Sequence, residues 1–399
     1  MNFRFADRIT KIKPSKTLAI TAKAKELAAQ GMDIIDFGGG EPDLDTPQAA
    51  KEAAIAAIQN GFTKYTHPSG IEELKDAIIE KFINDNQLRF EKNQILISCG
   101  AKHSLYNIAQ VLLDHGDEVI IPAPYWVSYP DQALLNEATP VIVKTQEAEE
   151  FRLTAELFRK HLTPKTKALI LNSPTNPTGA VYQKKHLEAI AEIILEHKIV
   201  VISDEIYEKF IYDGIKHTSM ASLSKEIQAQ TIVVNGVSKS HAMTGWRIGY
   251  AAGPKEIIAK MTSVQSQSTS NPNSIAQKAA VTALLKCESY TTAMVQEFDH
   301  RRQCMLSLLN QIPGITCVRP RGAFYTFPKV STYYGKSFQG KPIRDSDDLT
   351  AYLLEKARVT VVPGEAFGDD NHLRLSYTLP LAKIETGLKQ IGEALAQLK

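Results

Sequence analysis

The chain has 399 residues, 43% of them hydrophobic and 23% charged, with a formal net charge of +2. That balance is ordinary for a globular protein, and the length is too great for one hydrophobic core, so about two or three domains, or a large domain with a satellite, are expected. The near-neutral charge, and the lack of any basic run carrying aromatic residues, leave no electrostatic case for nucleic acid or an anionic membrane.

Four cysteines, Cys99, Cys287, Cys304 and Cys317, are scattered without a CxxC pair. A reducing compartment is the natural reading, and a cytoplasmic location is expected. The histidines show no metal-ligand spacing such as HExxH. The opening "MNFRFADRITKIKPSKT" lacks the apolar core of a signal peptide, and no apolar run is long enough to span a bilayer.

In chain order, short apolar runs begin near residue 90: "QILIS" from Gln94, "EVIIP" from Glu118, "KALILN" from Lys167, "IVVIS" from Ile199 and "TIVVN" from Thr231. Between them lie "AKHSLYNIAQVLL" and "KKHLEAIAEIILEHK", whose apolar residues recur at the three- and four-residue spacing of amphipathic helices. Continuous apolar strands alternating with helices predict an α/β fold, a mostly parallel sheet covered on both faces. The C-terminal third differs. "AMVQEFDHRRQCMLSLLNQI" predicts a long helix, and "CVRPRGAFYTFPKV" predicts a strand pair turning near Arg321-Gly322. "VTVVPG", "HLRLSY" and a helix from about Ala382 complete a smaller α+β domain. The expected division is a large domain over 47–290 and a small one made of 1–46 with 291–399.

In open α/β sheets, ligands bind beyond the carboxyl ends of the strands. After "QILIS" comes Gly100-Ala101-Lys102, a small-residue turn entering a helix, which suits a phosphate or simply a tight turn. After "EVIIP" comes Trp126, a core aromatic or a stacking surface. After "KALILN", the proline-rich loop "SPTNPTG" fixes Asn176. After "IVVIS" stands Asp204, a helix cap or a buried acid needing a partner, with Tyr207 a turn further on. After "TIVVN" comes Lys239. Each signal alone is weak. Together they suit a flat, phosphorylated pyridine aldehyde: lysine for the aldehyde, acid for the ring nitrogen, amide and phenol for the ring hydroxyl, indole for the ring face. A P-loop NTPase is excluded, because residue 238 is Ser where GxxxxGK[ST] needs Gly.

The motifs that carry these residues run in order from "KPSKT" and "GEPDLDTP" through "KYTHPSG", "PAPYWVSYP", "NSPTNPTGAVY", "SDEIYE" and "SKSHAMTGWRIGY" to "VVPGEAFG" and "HLRLSY". Over nearly its whole length the chain resembles the class I pyridoxal-phosphate aminotransferases of fold type I, most of all the bacterial aspartate aminotransferase branch known as group Ib. The resemblance implies pyridoxal 5'-phosphate as cofactor, ping-pong transamination of amino acids and 2-oxo acids, and a homodimer with shared sites. It also implies that Lys239 binds the cofactor aldehyde, Asp204 pairs with the ring nitrogen, Tyr207 and Asn176 bond the ring hydroxyl, and Trp126 stacks on the ring. Gly100, Ala101 and Arg247 would hold the phosphate, with Tyr65 reaching in from a second subunit. Arg374 would clamp the substrate α-carboxylate, with Gly40 beside it. The chain departs from the better-known eukaryotic pattern in "SVQSQSTSNPNS", which contains no arginine for a distal carboxylate. In the group Ib pattern, Lys102 takes that role, supported by Ser15 and Thr17; the other reading is that Lys102 only assists the cofactor phosphate. Aromatic or prephenate substrates, and lyase chemistry on the same fold, stay open.

Overall fold

The computed structural model describes residues 3–12, 22, 24, 26, 27 and 29–399. At its centre is a seven-stranded sheet in the order Ile95–Ser98, Gly249–Ala252, Thr231–Gly236, Val200–Asp204, Thr166–Asn172, Glu118–Ala123, Thr139–Lys144. Gly249–Ala252 is antiparallel to both its neighbours, while the pairs from Thr231–Gly236 out to Thr139–Lys144 are all parallel. The mostly parallel sheet is therefore present, with two strands that the apolar runs did not reveal. Thr139–Lys144 is an edge strand with little full burial, and Gly249–Ala252 is only four residues of small side chains around Tyr250.

The sheet is buried on both faces because alternate residues of each strand serve opposite layers. Ala168 and Ile170 pack with Leu105, Ile108 and Met261, from helices Ala101–Leu112 and Lys255–Ser268. Leu169 and Leu171 pack with Leu187, Ile190 and Ile194 of helix Lys184–His197. Each of these leucine, isoleucine and methionine side chains, when fully buried, stabilises the fold by about 1.5–3 kcal/mol. This double cover explains why the strands read as unbroken apolar runs.

The C-terminal part has its own short sheets. Leu373–Ser376 pairs antiparallel with Val362–Pro363 and with Tyr325–Thr326. Ile35–Asp36 pairs parallel with Val359–Thr360, so the N-terminal segment is hydrogen-bonded to this part, and Phe37 packs in one core with Ile384, Leu388 and Ile391. Helices Glu288–Leu309 and Leu381–Leu395 form where predicted. The predicted strand pair in 317–330 is corrected: only Tyr325–Thr326 is a strand. The first arm's backbone groups are used elsewhere. Pro320 O accepts from the buried Arg302, and the amides of Arg321 and Gly322 both donate to Gly179 O. "VTVVPG" is likewise two short strands in different sheets, broken at Val361.

Among the described residues, no helix is long and apolar enough to cross a membrane.

Candidate active site

A cavity of about 520 Å³ opens at the carboxyl ends of the parallel strands. Gly40, Ala101, Lys102, Trp126, Asn176, Asp204, Tyr207, Lys239, Arg247 and Arg374 all line it. Gly100 is the residue just before Ala101, at the foot of the same turn. Tyr65 does not line the cavity and is 91% exposed. Ser15 and Thr17 lie outside the described residues.

Asp204 ends its strand fully enclosed. Its Oδ2 accepts from the Tyr129 hydroxyl at 2.7 Å and its Oδ1 from the Ile206 amide at 3.2 Å. Burial raises its pKa to about 6, and the two donors oppose that shift. The helix-cap reading of Asp204 is corrected: a tight turn, not a helix, follows the strand, and the carboxylate accepts the Ile206 amide within it. That turn presents Tyr207, whose hydroxyl lies 2.9 Å from that of Tyr325.

Lys239 follows strand Thr231–Gly236 in a compact turn, and its Nζ donates to Gly40 O. Burial lowers its pKa to about 8. Burial also lowers that of Lys102, with Arg247 adding to the effect, and Lys102 Nζ sits 4.8 Å from the centre of the Trp126 ring.

Gly100 has φ +92°, a conformation a side chain disfavours, and a Cβ there would lie 2.5 Å from Arg247 Nη2. The guanidinium therefore rests directly on the turn, where Nη2 donates to Cys99 O and Nη1 to Thr244 O. The first-turn amides of Ala101 and Lys102 have no acceptor within their helix. Two amides and a guanidinium at one turn make an anion cradle.

Arg374 is buried. Its Nη2 donates to Gly38 O at 2.7 Å and its Nη1 to Asn176 Oδ1 at 3.1 Å, while the charge faces the rings of Tyr325 and Phe367. Among the described residues its Nε–H has no partner, a costly state for a buried guanidinium.

Sequence reasoning missed Tyr129 and Tyr325, which also line the cavity. Tyr129 lay in plain view, three residues after Trp126 in "PAPYWVSYP". Nothing local separates it from a core tyrosine, because its partner Asp204 is 75 positions away.

Taken together, an anion cradle, a lysine of lowered pKa, a buried carboxylate and an aromatic wall define a site for a phosphorylated ring aldehyde, and the donor set fits pyridoxal phosphate. The family profile "Aminotransferase class I and II" matches residues 32–391. The aspartate aminotransferase of Geobacillus stearothermophilus is 50% identical over 388 residues, covering 97% of this chain and 98% of that one. The aspartate/prephenate aminotransferase of Nitrosomonas europaea is 44% identical over 396 residues, covering 98% of this chain and 100% of that one. The crystal structure of the Rhizobium meliloti aspartate aminotransferase superposes with a TM-score of 0.96 at 44% identity, covering 100% of both chains. The chain belongs to the class I and II aminotransferases. It is a fold-type I enzyme that depends on pyridoxal phosphate.

Proposed function

We propose that this enzyme transfers the amino group of L-aspartate to 2-oxoglutarate, giving oxaloacetate and L-glutamate, in the two half-reactions of a ping-pong cycle. The observation that supports this reading is that two cations, Arg374 and Lys102, line one cavity from different elements. A dicarboxylic amino acid has two anionic ends to meet them. The name of the Geobacillus relative agrees.

When bound, pyridoxal phosphate supplies an aldehyde carbon for the amino group and a ring that draws electrons from the substrate Cα. Asp204 holds a proton on the ring nitrogen, which is why an acid is needed there. Tyr207 and Asn176 orient the ring through its hydroxyl, and Trp126 packs on its face. Gly100, Ala101 and Arg247 bind the phosphate. Arg374 fixes the α-carboxylate through parallel N–H groups, beside Gly40. Lys239 moves the proton. With a pKa of about 8, a fraction of its Nζ is free base near neutral pH, so it can take a proton from Cα and return it.

The active unit in this reading is a homodimer, with Tyr65 of the partner subunit completing the phosphate site. The exposure of Tyr65 outside its own chain's cavity supports that. The division into 47–290 and 1–46 with 291–399 is part of the same proposal, supported by the separate central and C-terminal sheets. A cytoplasmic setting agrees with four free thiols.

Lys102→Ala tests the specificity. It should lower kcat/KM for aspartate about tenfold to a hundredfold, the worth of a charge-assisted hydrogen bond, with little change for alanine or phenylalanine. An equal loss on all three would overturn the assignment. Prephenate also carries two carboxylates, and the Nitrosomonas relative is named for both substrates. The same panel should therefore include prephenate as a second acceptor.

A further inference from the structure

Tyr129 is the one cavity-lining phenol whose hydroxyl is committed to a carboxylate: its O–H donates to Asp204 Oδ2 at 2.7 Å. Its ring stands edge-on to Trp126, with centroids 5.3 Å apart and planes at 75°, and its amide donates to Trp126 O. One side chain thus braces two residues that face the cofactor, one at the ring's face and one at its nitrogen. We infer that Tyr129 is a positioning residue, which keeps the Asp204 carboxylate ionised and aimed so that the proton stays on the cofactor's ring nitrogen. The inference rests on the pyridoxal-phosphate reading of the site.

The physical reason is the direction of the hydrogen bond. A donor to a carboxylate favours its charged form. In the closed interior around Asp204, burial works the other way and favours the neutral acid. If the proton moved to Asp204, the ring nitrogen would be neutral and would withdraw electrons poorly. The Ile206 amide is the second donor to this carboxylate, but at 3.2 Å it is the longer of the two bonds. Tyr129 itself is enclosed beside an acid, so its phenol keeps its proton and remains a donor.

Tyr129→Phe removes one oxygen and keeps the ring packed on Trp126. The test compares wild type, Tyr129→Phe, Asp204→Asn and the double variant. Two quantities are read: the Kd for pyridoxal phosphate added to the apoprotein, and the protonation of the ring nitrogen against pH, from the 15N shift of labelled cofactor. The melting temperature of each apoprotein checks the fold. Tyr129→Phe should weaken binding about tenfold and lower by about one unit the pH at which the ring nitrogen loses its proton. In the Asp204→Asn background the same change should have no further effect, because the phenol acts through that carboxylate. An unchanged nitrogen titration in Tyr129→Phe, or an equal loss of affinity in both backgrounds, would overturn the inference while leaving the cofactor reading intact. If wild type formed no Lys239-dependent absorption band above the protein range, both would fall.

Discussion

Asp204 and Lys239 are each held against their own preference for water, and that has a measurable cost. The folded pKa of Asp204, about 6, lies above its ordinary value of 3.8. The native apoprotein therefore binds more protons there than the unfolded chain does. Its contribution is complete below about pH 4 and is lost as the pH rises through 6. Asp204→Asn should make the apoprotein more stable than wild type at pH 8, by about 3 kcal/mol, with the gain shrinking towards pH 4. Thermal denaturation at several pH values reads this directly, and a gain independent of pH would contradict it. Asp204 and Lys239 were legible in the sequence because one ends and the other closely follows an unbroken apolar strand, where the sheet's geometry sends ligands. Tyr129 was not legible, because a tyrosine inside a helix of core residues looks the same whether or not an acid waits across the cavity.

Glu208 joins the elements that carry the site. It follows Tyr207 in the turn after the Asp204 strand and accepts from Asn235, near the end of the strand before Lys239. On its other side it is paired with Lys81 of helix Glu72–Lys81 and accepts from Asn86. All four side chains are buried. Burial alone would raise the carboxyl's pKa, but the charges of Lys81 and His217 and the Asn86 amide reverse this and bring it to about 2. The Glu208–Asn235 hydrogen bond thus joins the elements that carry Tyr207 and Lys239, and the buried ion pair with Lys81 ties them to helix Glu72–Lys81. Lys81→Met leaves an unpaired buried charge and should cost about 3–5 kcal/mol, whereas Lys81→Met with Glu208→Leu should recover much of that. Denaturant unfolding of the three proteins decides it, and additive losses would count against the pairing. None of this network was visible as a pattern. A lysine closing a helix normally reads as solvated, and only packing against the sheet encloses it.

At the scale of the whole molecule, the proposed sharing of the site between two subunits makes a strong prediction. Lys239→Ala and Tyr65→Ala homodimers should both be impaired. Mixed dimers, formed by unfolding and refolding the two together, contain one site with both native residues and should regain activity. No gain on mixing would place Tyr65 outside the site. The sequence by itself determined the α/β class, the mostly parallel sheet and the chemistry at the strand ends, because hydrophobic period and strand-end residues are local properties of the chain. It also misread the stretch from Cys317 to the turn near Arg321-Gly322 as a strand, since it could not show that Gly179 and Arg302 claim the backbone there. Only the tertiary structure decided which distant groups meet. Arg374 bonds Asn176 across 198 positions and Gly38 across 336, and Tyr129 reaches Asp204 across 75. Those meetings depend on how layers pack and which polar groups remain to be satisfied once water is excluded, and no short stretch of sequence carries that information.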